Sequence, residues 1–197
     1  MRRMRIAAVY RRPNASKPAP GHKVYPNLLR KLATMRPNQV WAIDITYILM
    51  ARGFVSLAAA VDWFSQKVLA LRLSITMDTA FCSEAVEAAM ARHGKPETLY
   101  SDQGNQFTSV AFTDLLKERE IAISMDGDGA TGVRRTALAN DQIRGRSACW
   151  PTPACRKQEL RSADRSTIPY NARRPHSSLD RQSPDEAYFN ALSTSRW

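Results

Sequence analysis

No aspartate or glutamate occurs in residues 1–43, although that stretch holds ten lysines and arginines. Scattered solvated charge accounts for mixed sequence but not for an acid-free run of this length, so an anionic partner is implied. Long apolar runs are missing as well. Nowhere do about eighteen apolar residues follow one another, which argues against a membrane-spanning helix. The basic start, broken by Pro13, Pro18 and Pro20, does not fit a secretory signal. Cysteine is scarce: Cys82, Cys149 and Cys155 are too few for a disulfide framework and suit a reducing cytoplasm. The spacing of Cys149 and Cys155 is wrong for a zinc knuckle, and His22, His93 and His176 are scattered, so a zinc site is excluded.

What is present suffices for one medium-sized domain with flanking arms: 197 residues, 44% of them hydrophobic. The net charge of +11 points to an acidic polymer, most simply nucleic acid. Its distribution says more than its sum. Residues 44–128 hold seven basic and twelve acidic side chains, a net of −5, and residues 129–176 return to ten basic against three acidic. An acidic body between basic arms suits a protein that grips phosphates outside an acidic centre. In the first arm Arg2, Arg3, Arg5, Arg11 and Arg12 are candidate phosphate contacts, the alternative being a basic tail without fixed contacts.

The chain is organised around VWAIDITYILM, residues 40–50, where β-branched and aromatic residues surround Asp44. That composition favours a buried strand, and a carboxylate buried there without compensation is costly. A second acid of the same kind, Asp102, ends the apolar run Leu99-Tyr100-Ser101 and precedes the loop Gln103-Gly104-Asn105-Gln106-Phe107. Two carboxylates on neighbouring strands can share a divalent cation, which offsets the burial of both. Asp62 also follows an apolar run, but for such a residue capping a turn is the commoner role.

Residues 40–50, 54–62 and 67–74 read as an antiparallel meander. Residues 79–92 form an amphipathic helix with Ala80, Phe81, Ala85, Val86, Ala88, Ala89 and Met90 on its apolar side, Glu84 and Glu87 towards water, and Asp78 as candidate N-cap. Residues 98–101 follow as a fourth strand parallel to the first, because a strand–helix–strand unit takes a right-handed crossover. This brings Asp102 beside Asp44. Residues 109–119 read as a second helix, with Phe112, Leu115 and Leu116 inward, and 121–125 as a fifth strand. A short helix fits within residues 26–35, and another starts at Ser183-Pro184-Asp185-Glu186, with proline in its first turn.

The segments WAIDITYI (41–48), SDQGNQFTS (101–109), YNARRPHSSL (170–179) and SPDEAY (183–188) together resemble the insertion-sequence transposases of the retroviral-integrase superfamily. The resemblance runs from about residue 4 to 128 and resumes from about 170 to 190. It implies a ribonuclease-H-like α/β fold, with a five-stranded mixed sheet (a three-strand antiparallel meander plus parallel strands) flanked by helices. It divides the chain into a basic arm (1–38), an integrase-like catalytic core (39–127), an irregular segment (128–169) and a family tail (170–197). The activity it implies is metal-dependent phosphodiester cleavage and strand transfer in DNA transposition and integration, by an Asp-Asp-Glu triad holding two Mg²⁺ (or Mn²⁺) ions. On that pattern Asp44 bridges both ions and Asp102 holds the first. Gln103, Gly104, Asn105 and Gln106 shape a loop beside the DNA, with Gly104 permitting close backbone approach. Arg173, Arg174 and His176 are either DNA-backbone contacts or part of a structural strap on the catalytic body. The implied partners are transposon ends and target DNA, with further copies of the chain or a companion helix-turn-helix protein, and no membrane. The implied setting is a bacterial cytoplasm, at the nucleoid. The basic arm is expected to follow a helix-turn-helix region, near whose end the sequence begins.

The third acid is where this sequence departs from the pattern. Thirty-five residues of spacing lead from Asp102 to Leu138, and no glutamate lies nearby. Asp141 comes three residues late, is shorter than glutamate, and stands in sequence with no helical signal. Residues 128–169 follow neither a helical nor a strand period, yet the tail returns at almost the expected distance. Translation out of frame, restored before Tyr170, accounts for both facts, and a natural lineage-specific insert is the alternative. Three functions follow: a transposase impaired by the missing glutamate, a catalytically dead DNA-binding remnant, or a nuclease unconnected with transposition, against which the 170–179 segment counts. Reading codons 127–170 in all three frames separates shift from insert. A frame encoding an amphipathic helix with glutamate near position 138 is the expected result, and finding none leaves the insert.

Overall fold

Five strands form one mixed sheet in a computed structural model that describes residues 23–50, 53–126 and 170–194. In chain order the elements are β1 (Val40–Met50), β2 (Gly53–Asp62), β3 (Val68–Ser74), α1 (Ala80–His93), β4 (Thr98–Asp102), α2 (Val110–Glu118), β5 (Ala122–Asp126) and α3 (Pro184–Thr194). The sheet order is β3-β2-β1-β4-β5, with β1–β2 and β2–β3 antiparallel and β1–β4 and β4–β5 parallel. This is the expected meander with two parallel additions. Observed boundaries fall within two residues of the expected ones, as the end-fraying of real elements would suggest.

Small residues explain how closely α1 lies on the sheet. Its Cys82, Ala85, Val86 and Ala89 are fully buried and share a core with Ala58, Ala60 and Ala70 of β2 and β3. Glu84 and Glu87 are exposed as expected, but Ala80 is exposed too, because it stands at the first turn before the helix reaches the sheet. Gly94, at a φ of 83°, ends the helix by returning its N–H to Met90 O. α2 starts from Ser109, whose Oγ accepts from Phe112 N–H. Phe112 and Leu116 are inward as expected, while Leu115 is only half-buried.

The two sheet faces are distinguished by which core their residues join. Trp41 and Ile43 of β1, with Leu99 of β4, lie in the core beneath the helices. Val40 and Ala42, with Tyr100, form a separate cluster with Leu29 and Trp63 on the other face. β2 is buried continuously from Ser56 to Asp62, as a strand covered on both faces must be.

Both outer strands are met by segments from the chain's two ends. Pro26 O accepts from Met125 N–H of β5, and Leu28 N–H donates to Ser124 Oγ. These bonds replace the expected helix in 26–35. Backbone groups committed to β5 cannot make i→i−4 bonds, and only the 3-10 turn Leu29–Lys31 forms. On the opposite edge, the Asn171 side chain pairs with β3 through both backbone groups of Val68: Oδ1 accepts from its N–H at 3.0 Å and Nδ2 donates to its C=O at 2.8 Å.

Asn38 ties the start of β1 to three other parts of the molecule. It adopts a φ of 62°, a left-handed conformation that asparagine tolerates well. Its N–H donates to Asp62 Oδ1 (2.8 Å) and its Nδ2 to His93 O at the end of α1 (3.1 Å). Its Oδ1 accepts from Trp41 Nε1 (2.9 Å) and from the Tyr188 hydroxyl of α3 (3.0 Å). Asn38→Ala strands the indole and phenol donors in a partly buried site. Each unsatisfied group costs about 1–3 kcal/mol, so urea unfolding should show a loss of about 3 kcal/mol. A loss below about 1 kcal/mol would show that these groups find other partners.

Candidate active site

Parallel register places the two singled-out acids together. The β1–β4 ladder pairs Val40 with Thr98, Trp41 with Leu99 and Ala42 with Tyr100. Two further steps along both strands bring Asp44 level with Asp102. Alternation puts both on the face of Ala42 and Tyr100, opposite the helices. The pair thus stands just past the last ladder rung, between the two strands at which the sheet order reverses direction. Crevices at such switch points are where α/β sheets bind ligands.

Local backbone holds one oxygen of each carboxylate. Asp44 Oδ1 accepts from Ile45 N–H at 2.8 Å, and Asp102 Oδ1 accepts from Gly104 N–H at 2.9 Å. Both residues are half-buried. Two hard carboxylates on one face suit Mg²⁺ or Mn²⁺, which take oxygen ligands and retain waters. Among the described residues no group of three or more His, Cys, Asp or Glu is placed to hold a metal. Leu138 and Asp141 lie outside the described residues.

Nearby acids and thiols are occupied otherwise. Asp62 is fully buried and accepts from Asn38 N–H, Ser65 N–H and Ser65 Oγ. It caps a turn, as expected for its position, and pairs in register with Trp41, three rungs from Asp44. Burial raises its pKa against the lowering effect of those bonds. Cys82 is pushed up to about 12 by burial and then by the charges of Asp78 and Asp102, so it remains a neutral thiol. Asp78 Oδ1 does accept from Phe81 N–H, though at a long 3.5 Å.

In the loop after β4, Gln103 and Asn105 are exposed, while Gly104 and Gln106 are half-buried. Gln106 Nε2 reaches Met77 O at 3.4 Å. At Gly104 an added Cβ would lie 2.9 Å from Asp102 Oδ1.

The tail is docked on the core. Tyr170 is buried among Ile48, Leu57, Ala59, Val61, Val68 and Leu71, and its hydroxyl donates to Gln66 O. Arg173 is exposed, whereas Arg174 and His176 are half-buried and the His176 ring stands edge-on to Tyr170 at 5.4 Å. α3 begins with a reciprocal cap: Ser183 Oγ accepts from Glu186 N–H, and Glu186 Oε2 accepts from Ser183 N–H. Lys67, 5% exposed, fastens this helix through an ion pair to Asp185 at 2.9 Å and by lying over the rings of Phe189 (3.9 Å) and Tyr188 (4.6 Å). Lys67, Asn171 and Asn38 were missed in the sequence. The pattern Ser183-x-x-Glu186 was the one signal available for the cap.

Residues 34–130 match the family model of the integrase core domain. The chain is 36% identical over 117 residues to the transposase of insertion sequence element IS629 from Shigella sonnei, covering 59% of this chain and 38% of the relative. It is 32% identical over 114 residues to transposase InsF of IS3A from Escherichia coli K12, covering 56% and 40%. Residues 34–130 are an integrase core domain, and the chain is similar to insertion-sequence transposases. It spans about two fifths of the length of these relatives. The fold of this integrase core is ribonuclease-H-like: the HTLV-2 integrase catalytic core in complex with magnesium superposes with a TM-score of 0.65 at 18% identity, covering 79% of this chain and 99% of that one. No described helix of the integrase core is long and apolar enough to cross a membrane.

Both described histidines have their pKa lowered in the docked state of the tail. Burial, then the charges of Lys67 and Arg92, lowers the pKa of His93, against Asp185 and a backbone bond to Leu69. Burial, then Arg174, lowers that of His176. A lowered histidine contributes stability that is present above its ordinary value of 6.5 and lost as pH falls towards the folded value. Thermal stability should therefore fall between about pH 7.5 and about pH 5.5, and fall less in the His93→Gln, His176→Gln double variant. Equal slopes would show that neither histidine reports on the tail.

Proposed function

We propose that this protein is a DNA-binding transposase core whose two-acid centre, Asp44 and Asp102, serves phosphodiester cleavage and strand transfer, impaired by the lack of the third acid. The supporting observation is the level placement of the two carboxylates on one face of adjacent parallel strands. Asp44 and Asp102 would hold Mg²⁺ or Mn²⁺, which supplies activation of the attacking oxygen and stabilisation of the leaving one. The chain's own residues do the rest. The backbone N–H groups of Ile45 and Gly104 orient the carboxylates. Exposed Gln103, Asn105 and Arg173, together with the basic residues of the first arm, meet the phosphate backbone of transposon ends and target. Gly104 and Gln106 shape the loop between them. Phosphoryl transfer depends on such positioning and electrostatics more than on covalent help from the protein.

Impairment follows from Leu138, which offers no ligand atom where the family pattern requires a carboxylate. Electrostatic stabilisation of developing charge is usually the largest catalytic term, so losing a ligand weakens the step severely. The second reading, a DNA-binding remnant with no activity, rests on the same residue. A free-standing nuclease is disfavoured by the docked tail. Work on DNA also favours the cytoplasm, at the nucleoid, with further copies or a helix-turn-helix companion as partners.

Duplex DNA should bind with an affinity that falls by about 10³-fold or more between about 50 and 200 mM salt if six or more phosphates are neutralised. Strand transfer in Mg²⁺ should be trace-level and abolished by Asp102→Asn. Complete absence of transfer selects the remnant. Robust transfer would show that residues 128–169 supply the missing ligand, and salt-insensitive binding would sink the DNA assignment.

A further inference from the structure

We infer that Gly104 is a positioning residue that sets where the Asp102 carboxylate stands, and that its missing side chain serves this rather than DNA approach. The inference rests on the two-acid centre proposed above. A Cβ at position 104 would lie 2.9 Å from Asp102 Oδ1 and 3.6 Å from its Cγ, closer to the oxygen than real contacts allow. The Gly104 N–H donates to that same Oδ1 at 2.9 Å. One oxygen is therefore held by the amide and would be displaced by any side chain. Gly104 is not among the residues of positive φ. The position requires room, and glycine's conformational freedom is not the reason for it.

The loop is built to keep that amide in place. Gly104 O accepts three bonds, from Phe107 N–H, Thr108 N–H and Thr108 Oγ1, each at 3.0 Å. Phe107 is 1% exposed and stands edge-on to Phe112 at 5.5 Å, so the turn is anchored in the core. Ser109 Oγ closes the far side by donating to Gln106 O at 2.8 Å. Such a turn does not drift when a ligand arrives. With Oδ1 fixed by the loop, Oδ2 is the oxygen left for a cation, and the carboxylate meets it already oriented. Partners that orient a ligand in this way typically carry a ten- to hundredfold share of metal affinity.

The test uses the full chain and Mn²⁺ alone, titrated by water-proton relaxation, beside thermal unfolding. Unmodified protein should bind Mn²⁺, Asp102→Asn should lose the site, and Val110→Ala, exposed at the start of α2, should leave it unchanged. Gly104→Ala should raise the Kd by about tenfold or more with a Tm within a few degrees of the parent. Equal Mn²⁺ affinity for Gly104→Ala and the parent overturns the inference while the two-acid centre stands. Equal affinity for Asp102→Asn and the parent instead overturns the two-acid centre, and the inference with it. If Gly104→Ala does not fold, NMR amide exchange decides. The Gly104 N–H should be protected in the parent and lose protection in Asp102→Ala, and unchanged protection overturns the inference.

Discussion

β1 pairs along its length with β2 and over Val40–Ala42 with β4, and its first four residues are buried. Its axial position therefore determines where Asp44 stands, and that position is set at Asn38. Four hydrogen bonds converge there from the β2–β3 turn, the end of α1, the Trp41 indole and α3. A strand that slipped by one residue would turn Asp44 into the helix-covered core and Ile43 onto the other face. The left-handed backbone at Asn38 makes that slip costly, because a different residue entering this conformation would bring neither the same tolerance nor the same donors. The placement of Asp44 therefore depends on a residue six positions upstream.

How far the sequence disclosed this arrangement varied with the range of the interaction. Strands, helices and the β1–β4 adjacency were legible because period, breakers and crossover handedness are local or nearly so. Asp44 and Asp102 were legible because a carboxylate at the end of an apolar run is conspicuous. Asn38, Lys67 and Asn171 were not, since each acts through partners between 24 and 150 positions away and looks unremarkable among its neighbours. The expected helix in 26–35 failed for the same reason: its backbone was claimed by β5, almost a hundred residues distant. At Gly104 nothing in the local sequence signalled that an added side chain would meet the carboxylate two residues back.

The tail resolves an ambiguity of composition. Arg173, Arg174 and His176 looked alike as basic residues, yet packing separates them: Arg173 remains exposed, whereas Arg174 and His176 are drawn towards the Tyr170 anchor. A buried ammonium is stable only when its charge is met, and Lys67 has Asp185 and two aromatic faces to meet it. The segment therefore packs on the core at Tyr170 and leaves Arg173 exposed.

Each outer strand of the sheet has part of its free edge met, β5 at Met125 N–H by Pro26 O and β3 at Val68 by the Asn171 side chain. Exposed strand edges are templates for intermolecular pairing. Both guards are encoded outside the stretch from 127 to 169, so alterations there leave them in the chain. Any change confined to that stretch leaves the sequence of both edge contacts as it was, so the two edges of the sheet are met by residues that such a change does not touch.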